Sequence, residues 1–360
     1  MKRTLLCLLA AFLIVPATAQ VRGKIDIPNL KGFVTLKCDF HIHTVFSDGN
    51  VWPTVRISEA YREGLDAISI TDHIEYRPHK DDIIASHNRS YDIAAPYAKS
   101  MGIILIKGSE ITRGMPPGHH NALFLTDSEP LEQKDYMDAF REAKKQNAFI
   151  FWNHPGWDAQ QPDTTLWWPE HTKLMEQGFM MGMEVVNGNE YFPEAHGWCL
   201  EKKLAMIGNS DVHDPIQAQY KFDKGEHRAM TLVFAKEATA EGIREALHAR
   251  RTAVYNGNNL IGEERYLKEL FDNALDIKVE RPNNTSVRIT IKNNSDLTFH
   301  LKKTKHDARL VYFRNYTIVP HGTHVVTVKL QEGIQGGDFN FCVENLLVQP
   351  NQGMNYSLKI

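Results

Sequence analysis

The chain has 360 residues, of which 42% are hydrophobic and 24% charged, with a formal net charge of −3. That length holds one large domain and a small one, and the composition excludes a disordered chain. A slightly acidic balance also excludes the basic surface that grips nucleic acid.

The first residues, MKRTLLCLLAAFLIVPATAQ, place Lys2 and Arg3 before an apolar run from Leu5 to Val15, and Ala17-Thr18-Ala19 before Gln20. This is the pattern of a cleaved secretory signal. Residues 1–19 are therefore expected to be removed, leaving a periplasmic or secreted protein. Cys7 lies inside the apolar run, too near the start to carry a lipid, and no other apolar stretch is long enough to span a bilayer, so no membrane insertion is expected. Removal of the signal leaves Cys38, Cys199 and Cys342, an odd number without CxxC spacing, which offers no disulfide framework. It also takes away Lys2 and Arg3, so the charge becomes −5.

From Lys37 to about Tyr255 short apolar strands alternate with helical segments. KCDFHIHT precedes the helix-like PTVRISEAYREGL, and DAISITDH precedes a polar stretch to Ser100. IILIKGSEIT, NALFLTD with a helix around LEQKDYMDAFREAKKQN, AFIFWNH, GMEVVNG and LAMIGNSDVH continue the series, and MTLVFA with EGIREALHARR closes it. Strand followed by helix, repeated this often, predicts a parallel α/β barrel over residues 20–262. The segment 263–275 reads as a linking helix. Beyond it, SVRITIKN, LTFHLKKT, RLVYFRN, THVVTVKL, DFNFCVEN and MNYSLKI are short β-runs between Asn, Gly and Asp turns. They predict a small β-sandwich over 276–360.

The C-terminal ends of barrel strands are where such folds carry chemistry. Here those ends hold His41 and His43, Asp72 with His73, Glu110, His154, and Asp211 with His213. Residues i and i+2 of a strand point the same way, so His41 and His43 are expected side by side. Core packing explains one such histidine easily and explains the whole set poorly. Asp48, in the Ser-Asp-Gly turn after the first strand, is a further ligand candidate; an aspartate capping its own turn is the competing reading. Eight residues separate Glu110 from His119, too few for a parallel crossover, so a hairpin is predicted that sets NALFL beside Glu110. Only one of His119 and His120 then faces inward, and His119 is the expected one.

Mixed imidazole and carboxylate ligands suit Zn²⁺, Mn²⁺ or Fe²⁺ better than Mg²⁺ or Ca²⁺. Asp39, Asp72 and Asn209 are placed to orient ligands from behind. Arg113, in ITRGMPPGHH, and Arg77, in EYRPHK, are the candidates for binding substrate phosphate; a solvated loop arginine is the other reading of each. Trp157, Trp167 and Trp168 could stack on a leaving group, although a tryptophan cluster is more often core.

HIH with SDG, TDH, NHP and SDVH, in this order and at matching strand ends, resemble the motifs of the polymerase and histidinol phosphatase (PHP) family. The resemblance covers about Lys37 to Tyr255. It implies a distorted seven-stranded, TIM-like barrel holding two to three divalent metal ions. His41, His43, Glu110 and Asp211 would hold the first, a bridging Glu110 with His119 and His154 the second, and Asp48, His73 and His213 the third. Some relatives carry histidine where Asp48 stands, which touches the third site's metal preference.

The implied function is a metal-dependent phosphoesterase acting on a small-molecule phosphate ester, a diester rather than a monoester, with Glu110, Asp211 and His213 central to catalysis. Alternatives are a phosphomonoesterase, an amide or lactone hydrolase, and a non-catalytic envelope- or glycan-binding protein. DNA proofreading, known in other members, conflicts with export and the acidic balance. The C-terminal β-module lies outside the resemblance, and every candidate ligand precedes it, so a chain ending near Phe271 is expected to keep its metal.

Overall fold

The computed structural model describes residues 21–360, and the predicted signal at 1–19 lies outside them. The strands of the larger unit are β1 (Val34–Asp39), β2 (Ala67–Ile70), β3 (Ile104–Ile111), β4 (His120–Leu123), β5 (Phe149–Trp152), β6 (Gly182–Asn187), β7 (Glu190–Tyr191), β8 (Ala205–Asn209), β9 (Met230–Ala235), β10 (Thr252–Asn256) and β11 (Asn259–Gly262). Between them run α1 (Pro53–Glu63), α2 (Arg89–Met101), α3 (Tyr136–Lys145), α4 (Pro169–Glu176), α5 (Pro193–Lys202), α6 (Ile216–Gln219) and α7 (Ala240–His248).

β1, β2 and β3 are parallel, β4 runs against both β3 and β5, and β5, β6 and β8 are parallel again. These seven are the staves of the barrel. The predicted hairpin is present: Glu110 faces Asn121, and Ile111 faces His120. Closure is irregular, because residues Val34 to Cys38 of β1 pair with β9. The chain after β8 reaches β1 only beyond its end, through Asp211 N–H to His41 O (2.9 Å) and His43 N–H to Val212 O (3.1 Å). His41 and His43 thus follow the strand rather than lie within it, on an extended stretch bridged at Ile42.

The closing segments depart from the expected parallel series. β9 is antiparallel to β1 and to β10, and β10 is antiparallel to β11. A strand–helix–strand pattern carries no direction by itself, since a helix can return the chain either way along an edge.

The helix α8 (Glu264–Ala274) leads into β12 (Leu275–Asn283), β13 (Ser286–Asn293), β14 (Phe299–Lys303), β15 (Leu310–Val311), β16 (Asn315–Ile318), β17 (Thr323–Leu330), β18 (Asp338–Gln349) and β19 (Gln352–Lys359). They form two layers, β12-β13-β17-β15 and β16-β14-β18-β19. Alternation along β13 and β17 buries Val287, Ile289, Ile291, Val326 and Val328 against Phe299, Leu301, Phe339 and Phe341 of the opposite layer, the period-2 pattern of a sandwich.

The two units share both a sheet and a core. β11 pairs in parallel with β18, matching Leu260 with Leu346 and Ile261 with Leu347. One apolar cluster joins Leu232, Phe234 and Tyr255 of the barrel side, Leu267, Leu270 and Phe271 of α8, and the sandwich residues. Deleting residues 275–360 would expose that buried face to water. The truncated chain is therefore expected to aggregate or unfold instead of remaining a metal-binding unit; a soluble monomer on size exclusion with a native circular dichroism spectrum would contradict this.

Candidate metal centre

The candidate ligands meet because the strand ends converge at one rim. Gly49 shows how tightly the first loop is folded: a Cβ there would lie 2.7 Å from the backbone of His43 and Thr44. A side chain could not be accommodated without moving the loop that carries Asp48. Asp72 fixes the same loop, accepting from Thr44 N–H (2.7 Å), Thr44 Oγ1 (2.8 Å) and Ser47 Oγ (2.9 Å). His154 and Asp211 have positive φ, 29° and 51°. Such backbone costs on the order of 1–3 kcal/mol in a non-glycine residue and persists only where the surroundings hold it. The Glu184 Oε2 contact to His154 N–H (2.7 Å) and the bond from Asp211 N–H to His41 O are such holds.

Glu110 is fully buried at the centre. Its Oε2 lies 3.3 Å from Nε2 of both His41 and His43 and 3.0 Å from Nδ1 of His73. Its Oε1 lies 2.9 Å from His119 Nδ1 and 3.6 Å from His154 Nε2. The two oxygens thus face different sets of imidazoles. Asp211 Oδ1 lies 3.1 Å from His41 Nε2 and 3.0 Å from His43 Nε2. Asp48 sits 3.4 Å from His73 Nε2 and 3.2 Å from His213 Nε2, with the His43 and His213 rings stacked at 4.2 Å.

These atoms group as His41, His43 and Asp211; His41, Glu110 and His154; His73, Glu110 and His119; and His43, Asp48, His73 and His213. His43 Nε2, His119 Nδ1 and Asp211 Oδ1 are buried yet make no hydrogen bond. Close approach without hydrogen-bond geometry means lone pairs that converge on shared space, and buried polar atoms are otherwise almost always paired. The donor set fits divalent transition ions. His120 turns the other way, packed among Phe140, Trp152 and His171.

Sequence reasoning missed Glu184. It is fully buried and accepts from His41 Nδ1 (2.9 Å), Asn209 Nδ2 (2.8 Å) and Asn187 Nδ2 (2.9 Å). Holding Nδ1 of His41 leaves Nε2 facing Glu110 and Asp211, the usual way a carboxylate aims a ligating imidazole. A lone acid within the apolar run GMEVV was the available signal. Asn153 Nδ2 donates to Glu110 Oε1 (2.8 Å), and Thr112 Oγ1 lies 2.6 Å from His73 Nδ1. Of the expected supports, Asn209 accepts from Phe40 N–H (2.7 Å), and Asp39 accepts from Ser210 Oγ (2.5 Å) and Arg228 (2.9 Å).

Burial alone would push the Glu110 carboxyl up, but His73, His41 and His119 outweigh it and hold it well below the usual range. Asp211 is likewise held low by His41 and His43. In return, and against burial, Glu110 and Asp48 raise His73 to about 10, and Asp211, Glu110 and Glu184 raise His41 well above its ordinary value. His43, deeply buried and facing His73 and His213, falls to about 4. Metal-free protein at neutral pH thus carries protons on His41 and His73 that a cation must displace. Lower pH favours the protons, so metal affinity is expected to rise from pH 6 to pH 9 with protons released on binding. Calorimetry in buffers of different ionisation enthalpy checks this; a pH-independent affinity without proton release would refute it.

The centre opens into a cavity of about 570 Å³ lined also by Tyr76, Thr112, Trp157, Gln160, Asn187 and Glu190. Neither expected phosphate-binding arginine lines it. Arg113 pairs with Glu75 (2.6 Å) and donates to Gln133 O and Lys134 O, while Arg77 donates to Ala85 O (2.8 Å). Trp157 does line the cavity, whereas Trp167 packs against Trp152 and Trp198.

Residues 275–359 match the family DUF5001, described as an Ig-like domain. Among solved structures, a two-domain protein from Bacteroides vulgatus ATCC 8482, described as containing a predicted PHP-like metal-dependent phosphoesterase, is 59% identical. The match covers 95% of this chain and 100% of that one, with a TM-score of 0.94. A metal-dependent phosphoesterase from Bifidobacterium adolescentis ATCC 15703 (18% identity, TM-score 0.40, 59% of this chain and 96% of that one) and an amidohydrolase from Chromobacterium violaceum (16%, 0.38, 49% and 88%) also match. At those scores neither bears on the fold or the chemistry. No curated protein matches the chain.

Proposed function

The chain belongs to the PHP-like metal-dependent phosphoesterases, and from that premise we propose that it hydrolyses a small organic phosphate ester, a diester in preference to a monoester, outside the cytoplasm. The observation that carries this is the convergence of nine imidazole and carboxylate side chains at one centre, seven of them lining a single cavity, with Glu110 presenting an oxygen to each side. In this reading His41, His43, Glu110 and Asp211 hold one ion, Glu110, His119 and His154 a second, and Asp48, His73 and His213 a third. Divalent ions held there would supply Lewis acidity for activating water and neutralising phosphoryl oxygens.

The chain's own part is placement. Glu184 fixes the His41 ring, Asn153 steadies Glu110, and Thr112 meets His73. Arg113 and Arg77 are engaged elsewhere, so neither would meet the phosphoryl group. Amide or lactone hydrolysis is the second reading, and one observation favours it: among the described residues no lysine or arginine lines the cavity.

Metal-loaded protein offered bis(p-nitrophenyl) phosphate, p-nitrophenyl phosphate, anilides and lactones separates these readings, with Mn²⁺, Zn²⁺ or Fe²⁺ supplied in turn. Diester turnover that chelator removes and metal restores is expected; turnover confined to amides or lactones would overturn the proposal. Export rests on the signal pattern of residues 1–19, and the intact mass of periplasmic material should begin at Gln20. Retention of the first nineteen residues would count against it.

A further inference from the structure

Two aromatic side chains at the cavity stand out because they are exposed: Tyr76 at 53% and Trp157 at 40%. They stand beside different parts of the centre. The Trp157 ring lies 5.1 Å from His154 and 5.7 Å from His119, and the Tyr76 ring 5.7 Å from His73. Large rings left open to water at a cavity are suited to a ligand that covers them.

The charge of the lining points to what that ligand carries. Four carboxylates line the cavity, and Glu190, on β7, is the one that takes no place among the candidate ligands. Its carboxylate makes no ion pair or hydrogen bond among the described residues. Burial and the nearby Asp158 both raise it, His154 lowers it in part, and among the described residues no lysine or arginine lines the cavity. A second phosphate or a carboxylate on the substrate would meet a negative charge here that no lining lysine or arginine pairs. A neutral aromatic group would stack on Trp157 but would take water from Glu190 and return nothing.

We propose that the alcohol portion of the substrate carries a positive charge, an ammonium or quaternary ammonium group, received on the His154 side of the cavity by Trp157 and Glu190. Ring faces attract such a cation most when it is partly desolvated, and a carboxylate adds a counter-charge. The phosphoryl end faces the centre, and a short carbon chain keeps the cation clear of the metal charges. The inference rests on the phosphoesterase reading and adds the chemical class of the group beyond phosphorus.

The test compares a cation with its uncharged carbon isostere. Phosphocholine and 3,3-dimethylbutyl phosphate form the monoester pair, and their p-nitrophenyl diesters form the other. In whichever class turns over, the cationic ester is expected to have kcat/KM about tenfold higher or more. Glu190→Gln and Trp157→Leu should each pull that ratio toward one, an effect that general structural damage, which lowers both esters alike, would not produce.

Choline and 3,3-dimethylbutanol are then titrated separately by calorimetry, with tighter choline binding expected. A ratio of one or below in wild type, or equal binding of the two alcohols, overturns the cation site. Selective choline binding without turnover of any ester supports the cation site and overturns the phosphoesterase reading instead.

Discussion

Replacing Glu110 by Gln is expected to abolish phosphoester hydrolysis and to lower bound metal below the level left by His213→Ala. The substitution keeps the size of the side chain and removes one negative charge from the fully buried residue whose two oxygens face separate imidazole sets. Divalent cations at close range repel strongly in a partly dry site, and the carboxylate between them is what makes their company tolerable. Among the described residues His213 shares no ligand group with Glu110 and joins only the one formed with His43, Asp48 and His73. Losing several kcal/mol of transition-state stabilisation corresponds to a fall in kcat of roughly 10³-fold or more. Metal analysis and kinetics on the folded variant check both parts; full metal content with near-normal turnover would refute the bridging role.

The second large effect is expected away from the cavity. Arg228→Met should destabilise the protein by about 3–5 kcal/mol, the usual result of leaving a buried charge without its partner. Arg228 is fully buried. It donates to both Glu63 oxygens (2.9 and 2.6 Å) and to Asp39 Oδ2 (2.9 Å). Burial works against the charged guanidinium, yet Glu63 and Asp39 more than offset it. Asp39 in turn accepts from His41 N–H (3.3 Å) and Ser210 N–H (3.1 Å), so it joins the ends of β1 and β8 next to the candidate ligands. Arg228→Lys should fall between wild type and Met, because an ammonium cannot reproduce the two-pronged contact with Glu63. Urea unfolding monitored by fluorescence measures the series, and an unchanged midpoint in Arg228→Met would dismiss the charge argument.

The convergence of the candidate ligands was written locally. His41, His43, His73, Glu110, His154, Asp211 and His213 each close an apolar run, and barrel topology brings such ends together whatever the intervening helices do. The turn from Glu110 to His119 was equally legible, since eight residues forbid a parallel crossover and alternation then separates His119 from His120. The sandwich followed from period-2 burial.

Only the tertiary structure decided the rest. The directions of β9 and β10 depend on which free edge they meet, and the union of barrel and sandwich depends on β11 finding β18; neither pairing leaves a trace in nearby residues. Arg113 and Arg77 looked suited to phosphate by type and position, but Glu75 with the Gln133 and Lys134 carbonyls engages Arg113, and Ala85 O engages Arg77. Glu184 and Arg228 read in sequence as unremarkable charges, because what gives them their roles is burial against partners 143 and 189 residues away. A side chain's type and period are properties of its own segment, whereas its partner is a property of the packed whole, and charges that meet across a core are therefore the last features a sequence discloses.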